Sequence, residues 1–164
     1  MIELRGFKEE DIAQLTHILN DAEVSKYLST KIPQPYTKQD AHWWINAGSK
    51  TGIIKAISKQ GLLIGCIGVN RGQFEYERCG EIGYWLAKDS WRQGITKTAI
   101  QQMTDFVFSN TNIERIYASV FSENKASMAL LLKSGFAQEG ILRRAIYKNG
   151  QFYDNHIFAK LKQG

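Results

Sequence analysis

Apolar residues alternate with polar ones in some stretches of the chain and recur every three to four residues in others, and these two periods divide it into elements. Ile2-Glu3-Leu4-Arg5 alternates and predicts a strand. From Asp11 to Asn20, Ile12, Leu15, Ile18 and Leu19 fall at helical spacing. Pro33 and Pro35 then break the chain, and Tyr36 to Ala47 predicts a further helix, with Thr37 in the N-cap position and Asp40 three residues on.

From Gly52 the character changes. Ile53 to Ile57 and Leu62 to Val69 are short apolar runs rich in β-branched residues, and Gln60-Gly61 between them is a turn signal, so the pair predicts a hairpin. Gly80 to Leu86 predicts a third strand of that group. In it Ile82, Tyr84 and Leu86 share one face, while Glu81, Gly83 and Trp85 share the other. The longest helical pattern follows, carried by Ile95, Ala99, Met103, Phe106 and Val107. Arg115 to Phe121 predicts a strand and Asn124 to Ser134 a helix ended by Gly135. Gly140 to Tyr147 and Phe152 to Leu161 predict two strands joined by Lys148-Asn149-Gly150-Gln151, Asn-Gly being the strongest short hairpin signal. The order is helices first, then an antiparallel meander, then strand–helix–strand–helix–hairpin, with no internal repeat. It implies an α/β (α+β) fold, a mixed and mostly antiparallel central sheet of about seven strands flanked by helices.

Composition narrows the class. At 164 residues the chain falls in the range of one domain, 1–164, large enough to hold a full core. Hydrophobic residues at 43% and charged residues at 23% are ordinary globular usage, which argues against long disorder. No apolar run approaches the roughly 18 residues that span a bilayer, and Met1 to Arg5 carries no secretory signal, so a cytoplasmic location is expected and no membrane association. Cys66 and Cys79 fit no metal-ligand spacing, and His17, His42 and His156 are scattered, so no metal site is expected. Lys and Arg number 21 against 16 Asp and Glu, a surplus of five. That suits an anionic ligand or an acidic partner, but no Cys/His finger or aromatic RNA-binding signature accompanies it.

The chemistry concentrates where Gly83-Tyr84-Trp85-Leu86-Ala87 is followed by Trp91-Arg92-Gln93-Gly94-Ile95-Thr96-Lys97. A strand runs through a short loop into the start of the long helix. Unpaired loop N–H groups and the positive helix end make an anion cradle, and Gly94 lets a ligand approach the backbone with no Cβ in the way. A glycine in such a loop is often only a turn residue. Further along stand Asn124-Lys125-Ala126-Ser127 and Leu131-Leu132-Lys133-Ser134-Gly135-Phe136, in which Asn124 also suits an N-cap and Gly135 a left-handed C′ residue.

In order and separation these segments resemble the GNAT superfamily of N-acetyltransferases, and within it the RimJ/RimL-type branch of ribosomal-protein N-terminal acetyltransferases. Gly83 to Leu86 resembles the branch's Gly-Tyr-Trp-Leu strand, and Trp91 to Thr96 its Trp-Gly-x-Gly-x-Ala-Thr-like helix start. The family loop Gln/Arg-x-x-Gly-x-Gly/Ala holds the pyrophosphate of coenzyme A, and its central glycine matches Gly94. Trp91 sits where the general motif has Gln or Arg, Arg92 where the branch has its first loop glycine, and Thr96 where it has a final Gly or Ala. Asn124 to Phe136 resembles the family's Asn-x-x-Ser…Lys-x-Gly-Phe. The resemblance implies acetyl-CoA as co-substrate, held by Trp85, Leu86, Ala87, Arg92 to Lys97, Asn124 and Ser127. Asn124 would contact the pantetheine arm, and Ser127 would lie near the sulfur.

N-acetylation needs a neutral amine, a donor for the tetrahedral oxyanion and a proton for the leaving thiolate. An α-amine with pKa near 7.7–8 is about a tenth neutral at pH 7, whereas a lysine near 10.4 is far less so, and an N-terminal acceptor therefore needs only a modest base. Glu81 is the candidate base, its alternative being a solvated strand carboxylate. Many members of the family use a tyrosine as acid four residues before the Gly-Phe pair. That position is Leu131, which leaves Ser127 as the substitute, unless the thiolate departs without a dedicated acid. A backbone N–H near Trp85 or Leu86 would serve the oxyanion. The expected acceptor is the N-terminal α-amine of a protein, such as a ribosomal protein. A small amine (polyamine, aminoglycoside, amino acid) and a non-catalytic acyl-CoA sensor are the alternatives, and a monomer and a homodimer are both open.

Overall fold

A computed structural model describes all 164 residues. Seven strands form one sheet in the order β1-β2-β3-β4-β5-β7-β6. In chain order they are β1 (Ile2–Arg5), β2 (Ile53–Lys59), β3 (Leu62–Arg71), β4 (Cys79–Leu86), β5 (Arg115–Phe121), β6 (Ala137–Lys148) and β7 (Gln151–Leu161). The helices are α1 (Ile12–Leu19), α2 (Ala22–Ser25), α3 (Lys38–Asn46), α4 (Ile95–Asn110) and α5 (Lys125–Lys133). Every strand pair is antiparallel except β4–β5, so the mixed, mostly antiparallel sheet expected from the pattern is present.

Local chemistry accounts for most boundaries. Gln60 and Gly61 both have positive φ (53° and 80°), as do Asn149 and Gly150 (52° and 78°), the conformation two-residue hairpin turns require. Thr37 caps α3 reciprocally: its Oγ accepts the Asp40 N–H at 3.1 Å and the Asp40 carboxylate accepts the Thr37 N–H at 2.9 Å. Gly135, at φ 89°, ends α5, where the Gly135 and Phe136 N–H groups donate to the Leu132 and Leu131 carbonyls and seat the buried Phe136 ring.

Two elements differ from the sequence expectation. Residues 22–25 form a separate short helix, capped by Asp21, too brief for any period to register. The first strand of the last hairpin begins at Ala137 rather than Gly140, because a bulge at Gln138/Gly140 carries the pairing on where a regular register would stop. A second irregularity at Leu142/Ile146 places Arg144 at φ 56° with its N–H on the Asp154 carboxylate.

The sheet separates two cores. On one side α4 and α5 cover Ile57, Ile67, Val69, Ile82, Leu86, Ile116, Val120 and Phe158. On the other, α1 to α3 pack with Ala56 and Leu63, and Trp85 lies against that cluster. The alternation read along Gly80–Leu86 is therefore real: Ile82, Tyr84 and Leu86 face one core, and Trp85 the other. On the α1 side Arg5 grips Asp11 with two 2.9 Å bonds.

Only one junction of the sheet is incomplete. β4 and β5 pair over just three rungs, Cys79↔Arg115, Gly80↔Ile116 and Glu81↔Tyr117. Beyond them β4 follows β3 as far as Leu86 and β5 follows β7 as far as Phe121. The two strands part into a fork. Because they are parallel and each is followed by a helix, the N-termini of α4 and α5 both lie at its open end.

Candidate active site

The loop from β4 to α4 is shaped by a few bonds. The Ser90 N–H donates to the Ala87 carbonyl at 2.9 Å, and the Trp91 indole N–H reaches back to the Leu86 carbonyl at 2.8 Å, pinning the loop to the strand end. Arg92 has φ 61°, a left-handed conformation glycine adopts freely, at the position where the resemblance expects a glycine. Gly94 caps α4 at φ 74°, ψ 8°. No side chain caps this helix, and the N–H groups of Ile95, Thr96 and Lys97 have no intramolecular acceptor. A Cβ placed on Gly94 would meet no atom within 4 Å. Lys88, Arg92 and Lys97, all exposed, belong to this loop and to the first turn of α4. A bare helix N-terminus with open space above its glycine is the arrangement expected of an anion cradle. The Ile95 side chain is buried in the core, so only its N–H faces the cradle.

The fork supplies a second set of groups. In the antiparallel β3–β4 ladder, bonded and non-bonded pairs alternate, and the bonds from Gly72 N–H to Cys79 and from Ala87 N–H to Ile64 fix the phase. Glu81, Gly83, Trp85 and Ala87 therefore bond to β3. Ile82, Tyr84 and Leu86 direct their backbone groups the other way, where β5 has diverged. Of the two N–H groups the sequence offers for an oxyanion, that of Leu86 faces the fork and that of Trp85 faces Cys66. The Ala87 N–H is bonded to the Ile64 carbonyl at 2.7 Å.

Across the fork stands the start of α5. The Asn124 carboxamide oxygen accepts the Ser127 N–H at 3.2 Å, so Asn124 is the N-cap, while its NH₂ makes no intramolecular bond. The Ser127 hydroxyl lies 2.6 Å from the Tyr84 hydroxyl. Tyr84 stood in the strand segment quoted from the sequence but was given no role there. Its signal was a single hydroxyl on an apolar strand face between Ile82 and Leu86, which must find a partner once buried. Burial pushes its phenol up to about 12 even though the Ser127 contact pulls the other way. Leu131 is completely buried and belongs to the core.

Glu81 occupies the last paired rung, exposed and without an ion-pair or hydrogen-bond partner. Its cross-strand neighbours are Asn70 and Tyr117. Burial first, and the Glu81 charge second, raise the Tyr117 phenol. Tyr84 lies three positions after Glu81, an odd offset, so the carboxylate and the Tyr84–Ser127 pair lie on opposite faces of β4. The Glu81 face is bounded by an aromatic row, Phe121 between Tyr27 (5.6 Å) and Tyr153 (5.3 Å). Lys148 crosses it to bond the carbonyls of Ser25, Lys26 and Leu28 at 2.7–3.1 Å. No three His, Cys, Asp or Glu side chains gather as a metal would need, and no helix is long and apolar enough to cross a membrane.

The class is defined by a fork between parallel strands with two helix N-termini at its open end. Residues 2–137 match the family model of the acetyltransferase (GNAT) domain, and the chain belongs to that family as an acetyl-CoA-dependent N-acetyltransferase. It is 33% identical over 168 residues to the uncharacterised N-acetyltransferase p20 of Bacillus licheniformis, covering 98% of this chain and 92% of that one. It is 38% identical over 115 residues to the uncharacterised N-acetyltransferase YoaA of Bacillus subtilis, covering 70% and 63%. To the ribosomal-protein-serine acetyltransferase of Escherichia coli it is 30% identical over 105 residues, covering 64% and 58%. Among solved structures it shares the fold of RimL, the ribosomal L7/L12 α-N-protein acetyltransferase in complex with coenzyme A. There the TM-score is 0.84 at 23% identity, over 98% of this chain and 93% of that one.

Proposed function

We propose that the chain transfers acetyl from acetyl-CoA to the N-terminal α-amine of a protein, with ribosomal proteins as the favoured class. The observation that carries the chemistry is an unpaired carboxylate, Glu81, at the apex of the fork, on the face opposite the Tyr84–Ser127 pair. Likeness to the ribosomal-protein-serine acetyltransferase supports the acceptor class.

The residues of the cradle fit acetyl-CoA. The free N–H groups of Ile95, Thr96 and Lys97 and the opening over Gly94 suit its pyrophosphate. The Asn124 NH₂ suits the amide of its pantetheine arm. Glu81 takes a proton from the incoming ammonium, directly or through water, and the neutral amine attacks the thioester carbon. The Leu86 N–H, which faces the fork, receives the oxyanion. As the tetrahedral centre collapses, the nitrogen loses its second proton to water, the C–S bond breaks with its electron pair on sulfur, and the Ser127 hydroxyl meets the departing thiolate.

The test pairs a variant with a substrate screen. Glu81→Gln lowers kcat about 10²-fold with the acetyl-CoA KM nearly unchanged, and the lost rate recovers as rising pH supplies more neutral amine. Unchanged kcat/KM from neutral to alkaline pH would reduce Glu81 to a strand carboxylate. Mass spectrometry of acetylated peptide mixtures reads the acceptor: modification confined to lysine side chains, polyamines or antibiotics overturns the α-amine assignment.

A further inference from the structure

Tyr84 and Ser127 are 43 residues apart in sequence, and their contact is the one side-chain hydrogen bond that crosses from β4 to α5. It is short, and its surroundings decide who donates. Apart from Ser127, the Tyr84 oxygen has no partner. Were Ser127 the donor, the phenolic hydrogen of the half-buried Tyr84 would have no acceptor within the protein, and the stronger acid of the two hydroxyls, the better donor, would be left unused. With Tyr84 donating, its hydrogen is paired, and only the weakly accepting phenolic oxygen goes without a partner.

The consequence falls on Ser127. A serine or threonine within a helix commonly turns its hydroxyl back to the carbonyl four residues earlier. Thr16 and Thr98 do this, bonding the Ile12 and Gly94 carbonyls. Ser127 does not: its oxygen is engaged by Tyr84, and its N–H by Asn124. Its own hydroxyl hydrogen has no acceptor within the protein.

We infer that Tyr84 is a positioning residue, whose hydroxyl donates to the Ser127 oxygen and thereby turns the Ser127 hydroxyl hydrogen into the fork to meet the sulfur of the leaving group. The inference rests on the acetyl-transfer reading of the fork and adds to it a role for Tyr84 that the sequence reading did not assign. Tyr84 holds its proton throughout. A phenol pushed up to about 12 by burial is a far weaker acid than a thiol near 8.5, so passing its proton along the pair to a thiolate would run uphill. The C–S electron pair stays on sulfur, stabilised by the Ser127 O–H, and sulfur takes its proton from water on release.

Free CoA, which needs no acceptor, provides the test. The thiol pKa of enzyme-bound CoA, followed by the ultraviolet absorbance of the thiolate, should lie below that of CoA in solution. Ser127→Ala should abolish the lowering and Tyr84→Phe should remove most of it, while CoA affinity at neutral pH changes less than about twofold. In turnover, Tyr84→Phe should cost about tenfold in kcat with the acetyl-CoA KM preserved, as for one charge-assisted hydrogen bond. The double variant should be no slower than Ser127→Ala alone, since Tyr84 acts only through Ser127. Should Tyr84→Phe fold poorly, proton NMR of the wild type reads the same bond: a downfield, slowly exchanging phenolic proton, lost in Ser127→Ala. A wild-type thiol pKa in Tyr84→Phe, multiplicative losses in the double variant, or no such phenolic proton overturns the role of Tyr84 alone. CoA that fails to bind the wild type sinks the acetyl-transfer reading, and this inference with it.

Discussion

Gly94→Ala separates what the fold asks of the cradle from what a ligand asks of it. At φ 74° an alanine is strained by roughly 1–2 kcal/mol, and the smaller freedom of alanine in the unfolded chain adds stability of about 0.4–1 kcal/mol in return. The new Cβ would meet no atom within 4 Å, so no clash adds to this. The net loss is about 1 kcal/mol, or roughly 2–4 °C of Tm for a domain of this size. Ligand binding should suffer more. If the pyrophosphate occupies the opening over Gly94, the Cβ displaces at least one phosphate from a backbone N–H. A charge-assisted bond of about 1.5–3 kcal/mol then raises Kd roughly 10- to 150-fold. At an acetyl-CoA concentration 100 times the wild-type Kd, stabilisation by ligand is about 2.7 kcal/mol, and in the variant it falls to about 0.3–1.3 kcal/mol. Differential scanning calorimetry with and without acetyl-CoA reads both quantities at once. A variant that loses a few degrees without ligand yet keeps the whole ligand-induced rise would refute the placement of the phosphates over Gly94.

Two further predictions concern the scaffold of the site. Burial pushes the Asp11 carboxyl up, but the bonds from Arg5 and from the Lys8 N–H outweigh it and hold the group below its ordinary value. A depressed carboxyl adds stability that is present above its unfolded pKa, about 3.9, and is lost as pH falls through the folded value. Asp11→Asn should therefore cost about 3 kcal/mol near neutrality, and its Tm deficit should shrink below about pH 4; a deficit constant through acid would refute the pair's role. Lys148→Met releases the β6–β7 hairpin from the end of α2. Amide exchange over residues 22–28 should quicken and the acceptor KM rise about tenfold, near 1.4 kcal/mol, with the acetyl-CoA KM unchanged. Equal increases in both KM values would mark a general loosening instead.

What the sequence made legible is what the chain decides locally. Turns such as Gln60-Gly61 and Asn149-Gly150, the Thr37–Asp40 cap and the face of Tyr84 along β4 depend on a handful of adjacent residues, and each is where its pattern put it. The strand–loop–helix around Gly94 belongs to this group, since a strand, a glycine and a helix start are contiguous. Period two told which way Tyr84 pointed but not what it would touch, because Ser127 reaches it only after β5 has crossed to the far side of β4. The same limit applies to the backbone. Whether Trp85 or Leu86 offers its N–H to the fork depends on the register against Cys66 and Gly65, a fact of pairing and not of composition. The Lys148 bridge joins residues more than 100 positions apart, and Ala22–Ser25 is one turn long, so neither leaves a period to read. These illegible features share one origin. β4 keeps its pairing with β3, and β5 keeps its pairing with β7, so the one parallel junction of the sheet gives way after Glu81. The groups that this separation exposes include the Leu86 N–H, the Ser127 hydroxyl with its one contact to Tyr84, and the Glu81 carboxylate. An acyl transfer needs an oxyanion donor, a group to meet the thiolate and a base, and the proposed roles draw on those groups.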